Sequence, residues 1–154
     1  MSKFTIFEMK HWLISHRMDS RYPGFLIVSL RDEVSELTSL SHEALTELGP
    51  ALYQAEKLLN FVYNPYKIII GKYGFNKGFS LHFHVLPVTE NLLEEIKVHP
   101  SYTKDKIDGL DVINFVCREY CEKPLNDQQI DVMMVTISML KAKYFEMDDL
   151  SSML

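Results

Sequence analysis

Residues 78–87 read Gly78-Phe79-Ser80-Leu81-His82-Phe83-His84-Val85-Leu86-Pro87. A strand sends alternate side chains to opposite faces, so Ser80, His82 and His84 share one face while Leu81, Phe83 and Val85 share the other. One face is core, and the other carries two imidazoles on alternate residues. Their backbones are then roughly 6.5–7 Å apart, close enough for both rings to reach one tetrahedral group or one metal ion. Nucleophilic attack by a neutral ring, hydrogen bonding to charged oxygens and metal ligation all compete for such a pair, beside the plainer reading of a solvated polar sheet face.

The flanks weigh on that choice. Downstream, the available extra ligands Glu90, Glu94, Glu95 and His99 lie beyond Pro87 in a different element, and nothing at the usual spacing completes a metal cage. Upstream runs Gly74-Phe75-Asn76-Lys77-Gly78. Its glycines let main-chain N–H groups approach a ligand, while Asn76 and Lys77 offer an amide and a charge, which is how a phosphate is held. A phosphate site beside paired histidines points to phosphorus chemistry.

Working outward, Lys67 to Tyr73 is rich in β-branched residues and reads as a strand that forms a hairpin with the histidine strand. Trp12–Ser15 and Gly24–Leu30 read as two further strands, paired antiparallel, with Tyr22-Pro23-Gly24 as the turn. Between these pairs lies the main helix, with Ser41 as N-cap and Leu40 and Leu45 as a hydrophobic staple. Leu45, Leu48, Leu52, Ala55, Leu59 and Val62 follow at helical spacing. Gly49-Pro50 predicts a kink or break inside it. After Pro87 the pattern is helical over Glu90–Val98, Asp111–Cys121 and Asp127–Tyr144, the last with a stripe of Ile130, Met133, Met134, Ile137 and Leu140. The acidic segment Glu146–Leu154 is expected to fray.

The chain has 154 residues, enough for one domain with a proper core, and a formal net charge of -5 with scattered lysines and arginines. That distribution argues against broad binding to nucleic acid or an anionic membrane, and leaves an anionic ligand dependent on a local cationic pocket. Cys117 and Cys121 read as free thiols. Neither a signal-peptide core nor a bilayer-length apolar run is present, so a reducing cytoplasm is expected.

The run from Ser80 to Pro87 resembles the signature of the histidine triad (HIT) superfamily, His-φ-His-φ-His-φ-φ with φ apolar, its first histidine replaced by Ser80. Other segments agree in order: Pro23-Gly24-Phe25-Leu26-Ile27-Val28 is similar to the family's "PGHLLVIP" strand, Leu37-Thr38-Ser39-Leu40-Ser41 to its "L-x-D-L-S" helix entry, and Ile69-Ile70-Gly71 to the end of its "Y-N-I-G-x-N-x-G" strand. The likeness covers about Trp12 to Val88.

The resemblance implies an α+β fold, with an antiparallel sheet of about five strands, a long helix and C-terminal helices. It reads as one domain over residues 1–154, with a core at about 12–88 and a helical extension at about 90–145, assembled as a homodimer. It implies hydrolysis or transfer of nucleoside monophosphoryl groups from phosphoramidates, dinucleoside polyphosphates or related esters, without cofactor or metal. Carried over, His82 is the nucleophile that becomes nucleotidylated and His84 contacts the phosphoryl oxygens. Ser80 stands where the family's orienting histidine would be.

Asn76, Lys77 and Gly78 furnish the phosphate end. Six residues before Pro23, where the family reads the ribose with Asp or Asn, this chain has Arg17, the candidate nucleoside contact; thirteen before His82, where relatives place Asn or Gln, it has Ile69. Those departures support a rival reading, a nucleotide- or phosphate-binding protein on the same fold with little turnover. A metal-binding His-x-His domain is the third reading. His16 has Asp19 within reach as a carboxylate partner, although nothing in the sequence selects that pairing. Trp12, Tyr22 and Phe25 read as core before they read as nucleobase platforms.

Overall fold

The computed structural model describes residues 2–102 and 106–153. Five strands form one antiparallel sheet: β1 (Thr5–Glu8), β2 (Trp12–His16), β3 (Leu26–Leu30), β4 (Lys67–Gly71) and β5 (His82–Val88), in the order β1-β2-β3-β5-β4. The helices are α1 (His42–Tyr63), α2 (Glu90–Val98), α3 (Gly109–Val116) and α4 (Asp127–Ser152), with a π-helical turn at Cys117–Cys121 directly after α3. The α+β class, the β2–β3 pair and the β4–β5 pair are as the sequence predicts. β1 was not anticipated; only four residues long, it gains its regularity from pairing with β2.

The alternation read from residues 80–87 organises two cores. Trp12, Ile14, Leu26, Val28, Leu81 and Val85 face α1 and α4 in the larger one. The Trp12 indole N–H donates to the Ala44 carbonyl at 2.9 Å and pins α1 to the sheet. On the opposite face, Leu86 and Val88 continue the line of His82 and His84, and they are buried with Tyr22 and Phe25 under α2 and α3. One face of β5 is therefore sealed at its C-terminal end and open at its N-terminal end. The open end holds the histidines.

Three expectations for the helices need correction. α1 runs through Gly49-Pro50 without a break, the one of the two expected outcomes that helix continuity decides. Both residues are exposed, so the carbonyl that loses the Pro50 N–H faces water, while Ala51, Ala55, Leu58 and Leu59 hold the inner side against the sheet. The buried stripe also rotates relative to the predicted one: Ala44, Ala51, Ala55, Leu58 and Leu59 are inside, and Leu45 is 50% exposed. Small alanines allow a closer approach to the sheet than leucines at those positions would. Finally, α4 extends to Ser152 instead of fraying from Glu146, because Met147 is buried against the larger core. Leu154 lies outside the described residues.

β4 is a sheet edge, and Ile70 on it is 37% exposed. Among the described residues no helix is long and apolar enough to cross a membrane.

Candidate active site

The open half of the sheet face forms the floor of a cleft of about 710 Å³. Ser15, Ile27, Ser29, His82 and His84 contribute to it, since pairing sets Ser29 opposite His82 and Ile27 opposite His84. Phe4, Tyr73, Phe75 and Phe79 supply aromatic walls. Against the start of β5 lies a second, more polar chamber of about 300 Å³, bounded by Lys72, Asn76, Lys77, Gly78 and Ser80. His82 lines both spaces.

The His82 Nδ1 is 2.9 Å from the main-chain carbonyl of Ser80. A carbonyl only accepts, so in the neutral ring Nδ1 carries the proton and Nε2 carries the lone pair. No hydrogen bond engages that Nε2 among the described residues. Ser80 thus meets the His82 ring through its backbone carbonyl, a restraint that does not depend on the Ser80 side chain. The Gly74 backbone lies flat against the same ring: a Cβ built there would be 3.2 Å from His82 Cε1. Gly78, with φ +92, adopts a turn that side-chain-bearing residues rarely tolerate and ends the loop before β5.

His84 is held by rings instead of hydrogen bonds. Its centroid is 5.1 Å from that of His82, 5.4 Å from Tyr73 and 5.7 Å from Phe25, and its Nδ1 is buried without a hydrogen bond among the described residues. Burial, reinforced by the neighbouring His82 and Arg17, pulls its pKa down to about 4. The free protein therefore keeps His84 neutral at neutral pH. A phosphoryl dianion beside it would act in the opposite direction. Tyr73 reaches this place by folding over Gly71, where any Cβ would collide with the tyrosine ring.

The candidate residues sort by chamber. His82, His84, Ser80, Asn76 and Arg17 line the larger cleft, and Lys77 and Gly78 join Asn76, Ser80 and His82 around the smaller one. Arg17 is already engaged: its Nε donates to Asp19 at 2.6 Å, its Nη2 to the same carboxylate at 3.2 Å, and its guanidinium lies over Phe25 at 5.1 Å. His16 does not pair with Asp19. Its Nδ1 is 2.9 Å from the Arg17 carbonyl and its Nε2 accepts the Gly24 N–H at 3.1 Å, which fixes the β2–β3 turn. Trp12, Tyr22 and Phe25 are buried in the two cores. The sequence reading placed Tyr73 only in a strand and missed it as a lining of the cleft; Gly71, which allows the tyrosine ring to pack against backbone, was the available signal. Among the described residues no group of three or more His, Cys, Asp or Glu side chains is arranged to hold a metal ion.

An α+β protein with paired histidines on an open sheet face, beside a glycine-flanked loop, is the class this geometry defines. The family model for the HIT domain matches residues 1–91, more than half of the chain, and the chain belongs to that family. Among solved structures it is similar to a zinc-bound histidine triad family protein from Mycobacterium smegmatis (13% identity, 97% of this chain and 89% of that chain covered, TM-score 0.61). A Hit-like protein involved in cell-cycle regulation from Bartonella henselae, solved with an unknown ligand, matches at 12% identity, 93% and 88% coverage and TM-score 0.60. A uridylyltransferase matches at 16% identity over 95% of this chain and 42% of that chain, with TM-score 0.59. At such identities the likeness establishes the fold. No curated protein sequence matches this chain significantly.

Proposed function

We propose that the chain is a HIT-type nucleotidyl hydrolase or transferase acting on nucleoside phosphoramidates, dinucleoside polyphosphates or related nucleotide esters. The observation that carries this reading is the His82 ring: locked through Nδ1 to the Ser80 carbonyl, with Nε2 unengaged between an aromatic cleft and a polar chamber. Nε2 attacks the α-phosphorus, the N–P bond forms as the leaving group departs, and water then resolves the nucleotidyl-histidine. His84 donates to the phosphoryl oxygens. Lys77, Asn76 and the main chain near Gly78 hold the phosphate end by charge and close backbone approach. The nucleoside occupies the apolar cleft, where Phe75, 97% exposed, and Phe79 offer stacking faces. Arg17 lies at the end of that cleft, bound to Asp19, and closes it more than it reads the ribose. The protein works as a homodimer, joined where the exposed β4 edge leaves main-chain groups unpaired, in a reducing cytoplasm.

The decisive test is mass spectrometry of protein quenched without acid during turnover of adenosine and guanosine phosphoramidates. A nucleotidyl adduct on His82 is the expected result; full turnover by His82→Ala would overturn the mechanism. A second reading is a nucleotide-binding protein with little turnover. It is favoured by the commitment of Arg17 to Asp19 and by the absence of an imidazole at Ser80. Stoichiometric nucleotide binding without adduct or release would select it.

A further inference from the structure

Behind Arg17, away from the cleft, lie two groups that the phosphoryl chemistry does not use. Cys117 and Cys121 open and close the π-helical turn, in which the Glu122 N–H donates back to the Cys117 carbonyl at 3.1 Å. Neither is in a disulfide. They lie four positions apart, and their thiols are close enough to share a hydrogen bond, which is within reach of a disulfide. Arg17 Nη1 is 3.5 Å from Cys117 Sγ. Cys117 is half-buried and Cys121 is fully buried, so a small reagent meets Cys117 first.

We propose that these cysteines are an oxidisable pair: Cys117 is oxidised by a hydroperoxide, and Cys121 then closes on it as an intrachain disulfide across the π turn. The Cys117 thiolate displaces one oxygen of the peroxide; an S–O bond forms, the O–O bond breaks, and hydroxide or alkoxide leaves. The peroxide is reduced by two electrons and the sulfur becomes a sulfenic acid. The Cys121 sulfur next attacks that sulfur, forming S–S and breaking S–O, and its proton leaves with the oxygen as water.

The two thiols are prepared for different parts. The hydrogen bond from Cys121 and, after it, the Arg17 charge lower the Cys117 pKa, while the same bond and burial raise that of Cys121. One is the attacking thiolate and the other is the proton-bearing resolving thiol. Closure removes the sulfur acceptor from Arg17 and leaves it paired with Asp19 at the end of the cleft. The chemistry of the pair stands independently of the substrate assigned to the cleft.

The test uses the full reduced chain treated with hydrogen peroxide, followed by intact mass and peptide mapping. Wild type should lose about 2 Da and yield a Cys117–Cys121 linked peptide. In Cys121→Ser the sulfenic acid should persist on Cys117 and be captured by dimedone, whereas Cys117→Ser should give no adduct on Cys121. Iodoacetamide should label Cys117 before Cys121, and about tenfold more slowly in Arg17→Gln. Unlinked thiols after peroxide treatment, first labelling of Cys121, or equal rates with and without Arg17 would each overturn the proposal. The linked peptide and the labelling order are read on wild type, so they decide the matter even if a variant fails to fold.

Discussion

His16 and His82 begin with the same hydrogen bond and end in different roles. Each ring has Nδ1 at 2.9 Å from a main-chain carbonyl, that of Arg17 for one and of Ser80 for the other. For His16 the second nitrogen accepts the Gly24 N–H, the ring is 2% exposed, and both of its atoms that can bond are used to close a turn. For His82, which lines both chambers, the second nitrogen has no hydrogen-bond partner among the described residues. A locked tautomer is thus not in itself a sign of catalysis. What distinguishes the two is whether the remaining lone pair is spent on backbone or left aimed at solvent-accessible space.

The crossed pair of substitutions breaks this comparison most directly. On the proposed mechanism, His82→Ala should reduce nucleotidyl transfer by about 10³-fold or more, since it removes the group proposed to form the covalent bond, while leaving the melting temperature nearly unchanged. His16→Ala should do the reverse. It leaves the Gly24 N–H without its acceptor and opens a cavity, so a destabilisation of about 2–4 kcal/mol is expected with the transfer rate of the folded fraction retained. Denaturant unfolding alongside single-turnover labelling checks both. Loss of stability in His82→Ala, or loss of the rate alone in His16→Ala, would dissolve the distinction.

His84 sharpens the comparison from a third side, being half-buried with no hydrogen bond to either nitrogen among the described residues. Its folded pKa of about 4 lies below the ordinary histidine value of 6.5. The unfolded chain therefore takes up a proton that the folded chain refuses as pH falls between those values. The contribution is fully present above about pH 6.5 and is lost as pH drops toward 4, up to about 3 kcal/mol for a shift of this size. His16, whose pKa burial also lowers, adds a loss in the same direction. Thermal melts across this window should fall more steeply for wild type than for His84→Phe. Equal slopes would show that His84 is not held neutral.

Much of this could be read in the sequence, and the limits have physical causes. Alternation in Leu81 to Val85 is strict because one face of β5 is core, so the strand, its polar face and the two histidines were legible. The loop 74–78 was legible as a connection because glycine and asparagine favour turns beside a strand. The fate of Arg17 was not: its partners Asp19, Phe25 and Cys117 are brought together by the β2–β3 turn and by the π turn, and the last lies 100 residues away along the chain. The same is true of His16, whose partner Gly24 is chosen by the hairpin and not by the nearby carboxylate. The buried side of α1 was read in part: Ala55 and Leu59 are inside as the spacing predicts, but periodicity ranks residues by size, and close packing on a twisted sheet favoured Ala44 and Ala51 over Leu45. A position acting by what it lacks, such as Gly71 beneath the Tyr73 ring, leaves almost no pattern to read.

Gly74 gives the finest test of whether the aim of the His82 lone pair matters. An alanine there would bring its Cβ to 3.2 Å from Cε1 of His82, closer than ordinary van der Waals contact, so either the loop or the ring must yield by a few tenths of an ångström. The loop is exposed and contributes little to either core, so the stability change should be under about 1 kcal/mol. The ring, tethered at Nδ1, can relieve the contact only by turning about that tether, which swings Nε2 away from its line of attack. Misplacement by a full ångström can cost about 10²-fold in rate, so a displacement of this size should lower kcat severalfold with little change in KM. Gly49→Ala is the matched control: nothing lies within 4 Å of its Cβ position, and it sits on the exposed side of α1. It should stabilise the helix by about 0.5–1 kcal/mol and leave the rate alone. If Gly74→Ala transfers nucleotide as fast as Gly49→Ala, the orientation of His82 is not set from the loop, and the contrast with His16 reduces to solvent access alone.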